Sequence, residues 1–199
     1  MEIIHNYAGT PERGLPLLYQ ALDLIDPQQE PRLLLCVWHN LIDDLAESGR
    51  AMEARRLFLK ARTLYPQFPE AVTQNRRTWV AGKIARGLGQ EKEAETLFLT
   101  ARRSFVVEEI PYEVALVSLD LAALYAKQGR MEELKRLAAE MLPVFSSRQI
   151  HREALAALTF WRQAVEAETA HEEIGQLVAG VAAFLKRARY DPELRFTGI

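Results

Sequence analysis

The chain has 199 residues, 49% hydrophobic and 26% charged, with a formal net charge of −2 and a pI of about 6.1. That balance predicts a buried core rather than a disordered chain, and it lacks the basic excess of a nucleic-acid binder. The single cysteine, Cys36, excludes an internal disulfide and fits a reducing cytoplasm.

The opening segment, MEIIHNYAGTPERG, has no basic start followed by a long apolar run, so it does not read as a secretory signal. The first helix is expected over 11–25, with Leu15, Leu18 and Leu22 as its apolar stripe. Pro31 opens a second helix, 31–48, where Leu34, Trp38, Leu41, Ile42 and Leu45 recur at spacings of three and four. Gly49 supplies the backbone freedom that a helix end needs. A third helix, 51–64, carries Ala54, Leu57, Phe58, Ala61 and Leu64 on one face, and Pro66 and Pro69 stop it. Helices at 69–87, 91–105, 111–128, 131–145, 149–168 and 171–188 follow from the same periodicity. In the last of these, Ile174, Leu177, Val178, Val181 and Leu185 share one side, as in a capping helix, and 189–199 reads as an irregular tail. The longest strongly apolar run, LVAGVAAFL at 177–185, is too short to span a bilayer. No alternating apolar run bounded by hairpin turns marks a strand.

The glycines carry the organisation. Gly9, Gly49, Gly89 and Gly129 are spaced by 40 residues, and Thr169 takes the next position. The text around each glycine rhymes: AGTPERGLPLLYQAL, SGRAMEARRLFLKAR, LGQEKEAETLFLTAR, QGRMEELKRLAAEML. Self-similarity at such a period signals a helical solenoid. The repeats fall at about 1–27, 31–66, 69–106, 111–146 and 149–188, in a single array.

This pattern resembles the tetratricopeptide repeat. The second repeat carries the family motif at Trp38, Leu41, Gly49, Ala54, Phe58, Ala61 and Pro66, and departs from it at Ile42 and Leu45. The third keeps Ala81, Gly82, Gly89, Ala94, Phe98 and Ala101, with Thr78 in the tryptophan position; the fourth keeps Leu121, Ala122, Tyr125, Gly129, Leu134 and Ala138. The fifth is looser, with Trp161, Val165, Ile174 and Val178, and the first keeps Leu18, Ala21 and Pro27. The period is longer than the family's usual one, which predicts longer first helices. The resemblance implies an all-α fold, a right-handed superhelix of about four and a half helix-turn-helix repeats. The chain resembles the C-terminal part of large bacterial tetratricopeptide proteins of regulatory role, and its lengthened repeats resemble those of bacterial regulators that sense peptides or partner proteins. Met1 falls at the seventh position of a repeat, so the chain reads as cut from a longer protein, or as one whose first helix face another molecule covers. Leu15, Leu18 and Leu22 are then the uncovered face, and homodimerisation through them is the alternative role.

Cys36, His39 and Asp43 share one face of the second helix, as i, i+3 and i+7 always do. All three residue types ligate metals, but no other repeat offers a matching Cys or His. A Cys-His nucleophile would need an oxyanion-stabilising site, and no motif supplies one. The reading is therefore no metal, no cofactor and no catalytic residues. The family's geometry instead places Cys36, His39, Asn40, Asp43 and Ala46 in a concave groove, followed by Arg76, Trp79, Val80, Lys83 and Arg86, then Leu116, Leu119, Asp120, Ala123 and Ala126, and then Ala156, Thr159, Gln163 and Glu166. The Arg76 to Arg86 face reads in two ways. It grips a protein or peptide with an acidic segment, Trp79, Leu116 and Leu119 giving affinity and Arg76, Lys83 and Arg86 orientation. Or it is a solvated face with Trp79 packed on a neighbouring helix. No nucleic acid or membrane partner is expected.

Overall fold

The computed structural model describes residues 11–145, 161, 163, 165, 171–188, 191 and 193–196. Every regular element among them is helical: α1 (Pro11–Leu24), α2 (Pro31–Glu47), α3 (Ala51–Ala61), α4 (Ala71–Gly87), α5 (Glu91–Val107), α6 (Pro111–Lys127), α7 (Met131–Phe145) and α8 (His171–Ala188), with a short 3-10 turn at Tyr65–Gln67. The protein is thus all-α among the described residues. The expected helix at 149–168 lies outside them except for positions 161, 163 and 165, which are helical. Ala156, Thr159 and Glu166 also lie outside.

The helix boundaries have local causes. Pro31 and Pro111 sit in the first turns of α2 and α6, where a missing N–H costs nothing. α2, α4 and α6 end in one shared device. Gly49, Gly89 and Gly129 adopt positive φ values of 74°, 75° and 67°. The next residue then donates its backbone N–H back to the helix, Arg50 to Leu45, Gln90 to Ala85 and Arg130 to Tyr125, each at 2.9 Å. This is the Schellman closure, and among the described residues it recurs at these three glycines, 40 residues apart. α5 closes in the same way, Ile110 donating to Phe105 at 3.0 Å. There the left-handed residue is Glu109, with φ 55°.

The contacts divide the chain into two compact units, residues 1–104 and 105–199. In the first, α1 packs on α2, α2 on α3, and both α2 and α3 on α4. Leu41, Ile42 and Leu45 are fully buried there, with Ala54, Ala61 and Tyr65. Each such aliphatic side chain contributes roughly 1.5–3 kcal/mol of transfer free energy. α4 comes close to α5 because Gly82 has no side chain: a Cβ there would lie 2.7 Å from two ring carbons of the buried Phe98.

Leu15 and Leu18 belong to this core, and Leu22 packs against it. The expected uncovered face of α1 is therefore corrected. These leucines are satisfied by α2, and the exposed leucines of α1 are Leu17 (55%) and Leu24 (84%) instead.

In the second unit, α6 packs on α7 and on α8. Val114, Ala115, Leu116, Val117, Leu119, Leu121, Ala122 and Leu124 are all buried, so α6 is enclosed on nearly every side. Ser118 tolerates this because its Oγ donates to the Val114 carbonyl at 2.7 Å. Ile174, Val178, Val181 and Leu185 are the buried side of α8, as the period predicts. Beyond it, Phe196 meets Phe184 edge-on, ring centroids 5.1 Å apart, and ties the tail to that helix. Consecutive helices packed in this way, with a repeated turn, make a generic helical-repeat arrangement.

Candidate functional site

The shared face of α2 and α4 gathers most of the residues singled out from the sequence. One repeat period brings Asp43 and Lys83, 40 residues apart, into contact: Lys83 Nζ donates to Asp43 Oδ1 at 2.6 Å. The same ammonium donates to Glu47 Oε1 at 2.7 Å, one helical turn further along α2. It also lies 4.4 Å from the centroid of the Trp79 ring, in cation–π geometry. Lys83 is only 2% exposed, and its two carboxylate partners keep about a fifth of their surface in water. A lysine this deep needs such partners, because an unpaired buried ammonium is strongly disfavoured.

His39 stands one turn before Asp43. Its Nδ1 shares a 3.0 Å hydrogen bond with the Tyr65 hydroxyl, and the two rings meet edge-on. Burial of the ring pulls the imidazole pKa down to about 4; Asp43 opposes this, and Arg76 and Lys83 reinforce it. The residue still keeps some exposed surface, but its burial favours the neutral ring at pH 7. Burial also raises the Tyr65 phenol, so that hydroxyl stays protonated. Tyr65 is fixed in turn by Gln74, whose Nε2 donates to the carbonyls of Tyr65 (2.8 Å) and Phe68 (2.9 Å). The guanidinium of Arg77 lies 5.5 Å from the Tyr65 ring centroid. Arg32 pairs with Glu70 nearby, at the starts of α2 and α4.

The structure thus brings His39, Asp43, Arg76, Trp79 and Lys83 into one cluster, and adds two residues that were not singled out, Glu47 and Tyr65. Cys36 is exposed on the same helix, and Asn40 and Arg76 are partly exposed. Arg86 turns toward α5 instead, 5.6 Å from the Phe98 ring centroid. Two expectations need correction here. Lys83 is not a surface cation waiting for an acidic ligand; its charge is taken up by Asp43 and Glu47. Leu116 (6% exposed) and Leu119 (1%) do not form an open apolar wall; they are core residues of α6 in the second unit. Asp120, beside them, is partly exposed.

Chemically the α2–α4 cluster is a closed ionic lock with a hydrogen-bonded neutral His–Tyr pair. Among the described residues no group of three or more His, Cys, Asp or Glu side chains is placed to hold a metal ion, and no helix is long and apolar enough to cross a membrane. Comparison with known protein families, with curated protein sequences and with solved structures finds no match.

Proposed function

We propose that the chain is a tetratricopeptide-like scaffold that binds a protein or peptide, as the sensing or interaction part of a larger bacterial regulatory protein in the cytoplasm. The observation that carries this reading is the identical helix closure at Gly49, Gly89 and Gly129. It marks a structural period of 40 residues that matches the period of the sequence, and stacked helix pairs of this kind serve as rigid platforms. The face of α2 and α4 that holds Cys36, Asn40, Arg76 and Trp79 is the platform's working surface. Asp43, Glu47 and Lys83 sit beneath it and hold the two helices in register, so a partner meets a preorganised surface.

The test is affinity capture from a native cell extract, read by mass spectrometry, with the wild-type chain against an Arg76→Glu, Trp79→Ala double variant. A partner held by the wild type and lost by the variant supports the reading. A partner held equally by both removes the α2–α4 face from consideration.

A second reading, self-association through α1, draws on the exposure of Leu17 and Leu24. Seven residues apart, they lie on one side of the helix. Light scattering tests it: a dimer that dissociates on Leu17→Glu, Leu24→Glu supports it, and a monomer at all concentrations ends it.

A further inference from the structure

Helix α3 turns Ala54 and Ala61 to the core and its other side to solvent. On that outer side stand Met52 and Leu59, 55% and 57% exposed. Seven residues apart, they point within about 20° of each other. Arg56 and Lys60 flank them on one side, Arg55 and Arg62 on the other, and all four cations are exposed. The one acid of α3, Glu53, is held by Arg50 through two hydrogen bonds of 2.8 and 2.6 Å. The whole chain carries −2, so this basic excess belongs to the face and not to the composition.

Arg55 and Leu59 also line a cleft of about 200 Å³ among α3, α4 and α5, together with the apolar Phe58, Ile84 and Leu97 and the carboxylate of Glu93. Small-molecule sites enclose roughly 300–1,000 Å³. This cleft is smaller, and suits one or two apolar side chains.

We propose that the outer face of α3 and this cleft form a second docking surface, separate from the α2–α4 face, for an acidic amphipathic segment of another protein. Its carboxylates pair with Arg55, Arg56, Lys60 and Arg62, arginine forks matching carboxylate geometry. One bulky apolar side chain enters the cleft, and a second covers Met52 and Leu59. The charge of the occupant follows from the four cations, and its peptide nature from the cleft. A bilayer surface cannot reach into a recess between three helices, and α3 offers it no exposed aromatic side chain. A nucleic-acid backbone would leave the apolar lining unused.

The experiment pans a display library of short random peptides against the intact chain, then measures the selected peptides by fluorescence anisotropy. The variants are Arg55→Glu, Lys60→Glu together, Leu59→Glu alone, and Arg76→Glu, Trp79→Ala as the comparison. All the changed α3 side chains are exposed, so the fold is retained, which circular dichroism verifies. The expected result is enrichment of acidic peptides with a Leu, Phe or Trp anchor. Their affinity should fall roughly tenfold or more in the charge-reversed variant and weaken with added salt, while the Arg76→Glu, Trp79→Ala variant binds them as the wild type does. No enrichment, enrichment without acidic residues, or equal binding by the charge-reversed variant would overturn the proposal. So would loss of binding in the Arg76→Glu, Trp79→Ala variant, or preferential binding of phosphatidylserine vesicles over every selected peptide.

Discussion

Replacing Lys83 by methionine strands two carboxylates. The methionine keeps most of the apolar stem that Lys83 packs between α2 and α4, so the change isolates the charge. In the wild type the ammonium lies 2.6 Å from Asp43 and 2.7 Å from Glu47. Removing one partner of a buried ion pair costs about 3–5 kcal/mol. Asp43 and Glu47 are about one-fifth exposed, so water recovers part of that cost, and the lower end, about 3 kcal/mol, is expected. Urea unfolding at pH 7, with an unchanged m-value, measures it. One control defines the cause. The triple variant Asp43→Leu, Glu47→Leu, Lys83→Met should recover to within about 1 kcal/mol of the wild type, since apolar packing often matches a buried ionic cluster in stability. If Lys83→Met costs less than about 1 kcal/mol, or the triple variant is as unstable as the single one, the lock is not what holds α2 to α4 and the reasoning fails.

Other outcomes follow from the same structure. His39 titrates near 4 when folded and near 6.5 when unfolded; the unfolded chain therefore binds more protons between those values, and stability should fall as the pH drops from about 6.5 to 4. Partial exposure limits the loss to about 1–3 kcal/mol, and His39→Asn, which keeps a partner for Tyr65 but cannot titrate, should flatten that stretch of a stability-against-pH curve. Gly82→Ala should lose about 1–3 kcal/mol by chemical denaturation, because the new methyl lies 2.7 Å from a Phe98 ring with no room to move. Glu109→Gly should raise the melting temperature and Gly89→Ala lower it, each by the equivalent of about 1 kcal/mol. Both positions are left-handed, and nothing stands near Gly89 to add a packing term. Leu119→Ala should cost about 2–5 kcal/mol in the same assay, as befits a core residue rather than a ligand contact.

The helices were largely legible because each carries its own signals. Prolines at 11, 31 and 111 begin α1, α2 and α6, and the glycines at 49, 89 and 129 close α2, α4 and α6. The miss at the end of α3 is instructive. The apolar period continues to Leu64, yet the helix stops at Ala61, and the chain tightens into the turn that seats Tyr65. Helical periodicity cannot tell one more turn of helix from a tighter one whose aromatic also points inward. The site was legible as a face but not as a set of bonds. Asp43 and Lys83 were placed at the same repeat position, and opposite charges at one repeat position were the signal that the two meet. Glu47, one turn beyond Asp43, completes that signal, and Tyr65 recurs one period later as the buried Phe105. Leu116 and Leu119 misled because an apolar groove position and a core position have the same composition. Only the packing around α6 separates them.

The pairing of Asp43 with Lys83 has a consequence for how such an array can grow. The next position in the series is Ala123, so the ionic contact is written once and does not recur. A tandem copy of residues 31–70 inserted after Glu70 would keep every helix and every turn glycine in phase. It would nonetheless set a second Asp where the original Asp43 now meets an ammonium, with another Glu one turn away. Four carboxylates would then crowd one seam with a single lysine left to the far copy. The repeats are alike as backbones but not exchangeable as modules. Their order is encoded in charge, and lengthening by simple duplication is discouraged at this seam, whereas a copy whose Asp had already become neutral would be admitted.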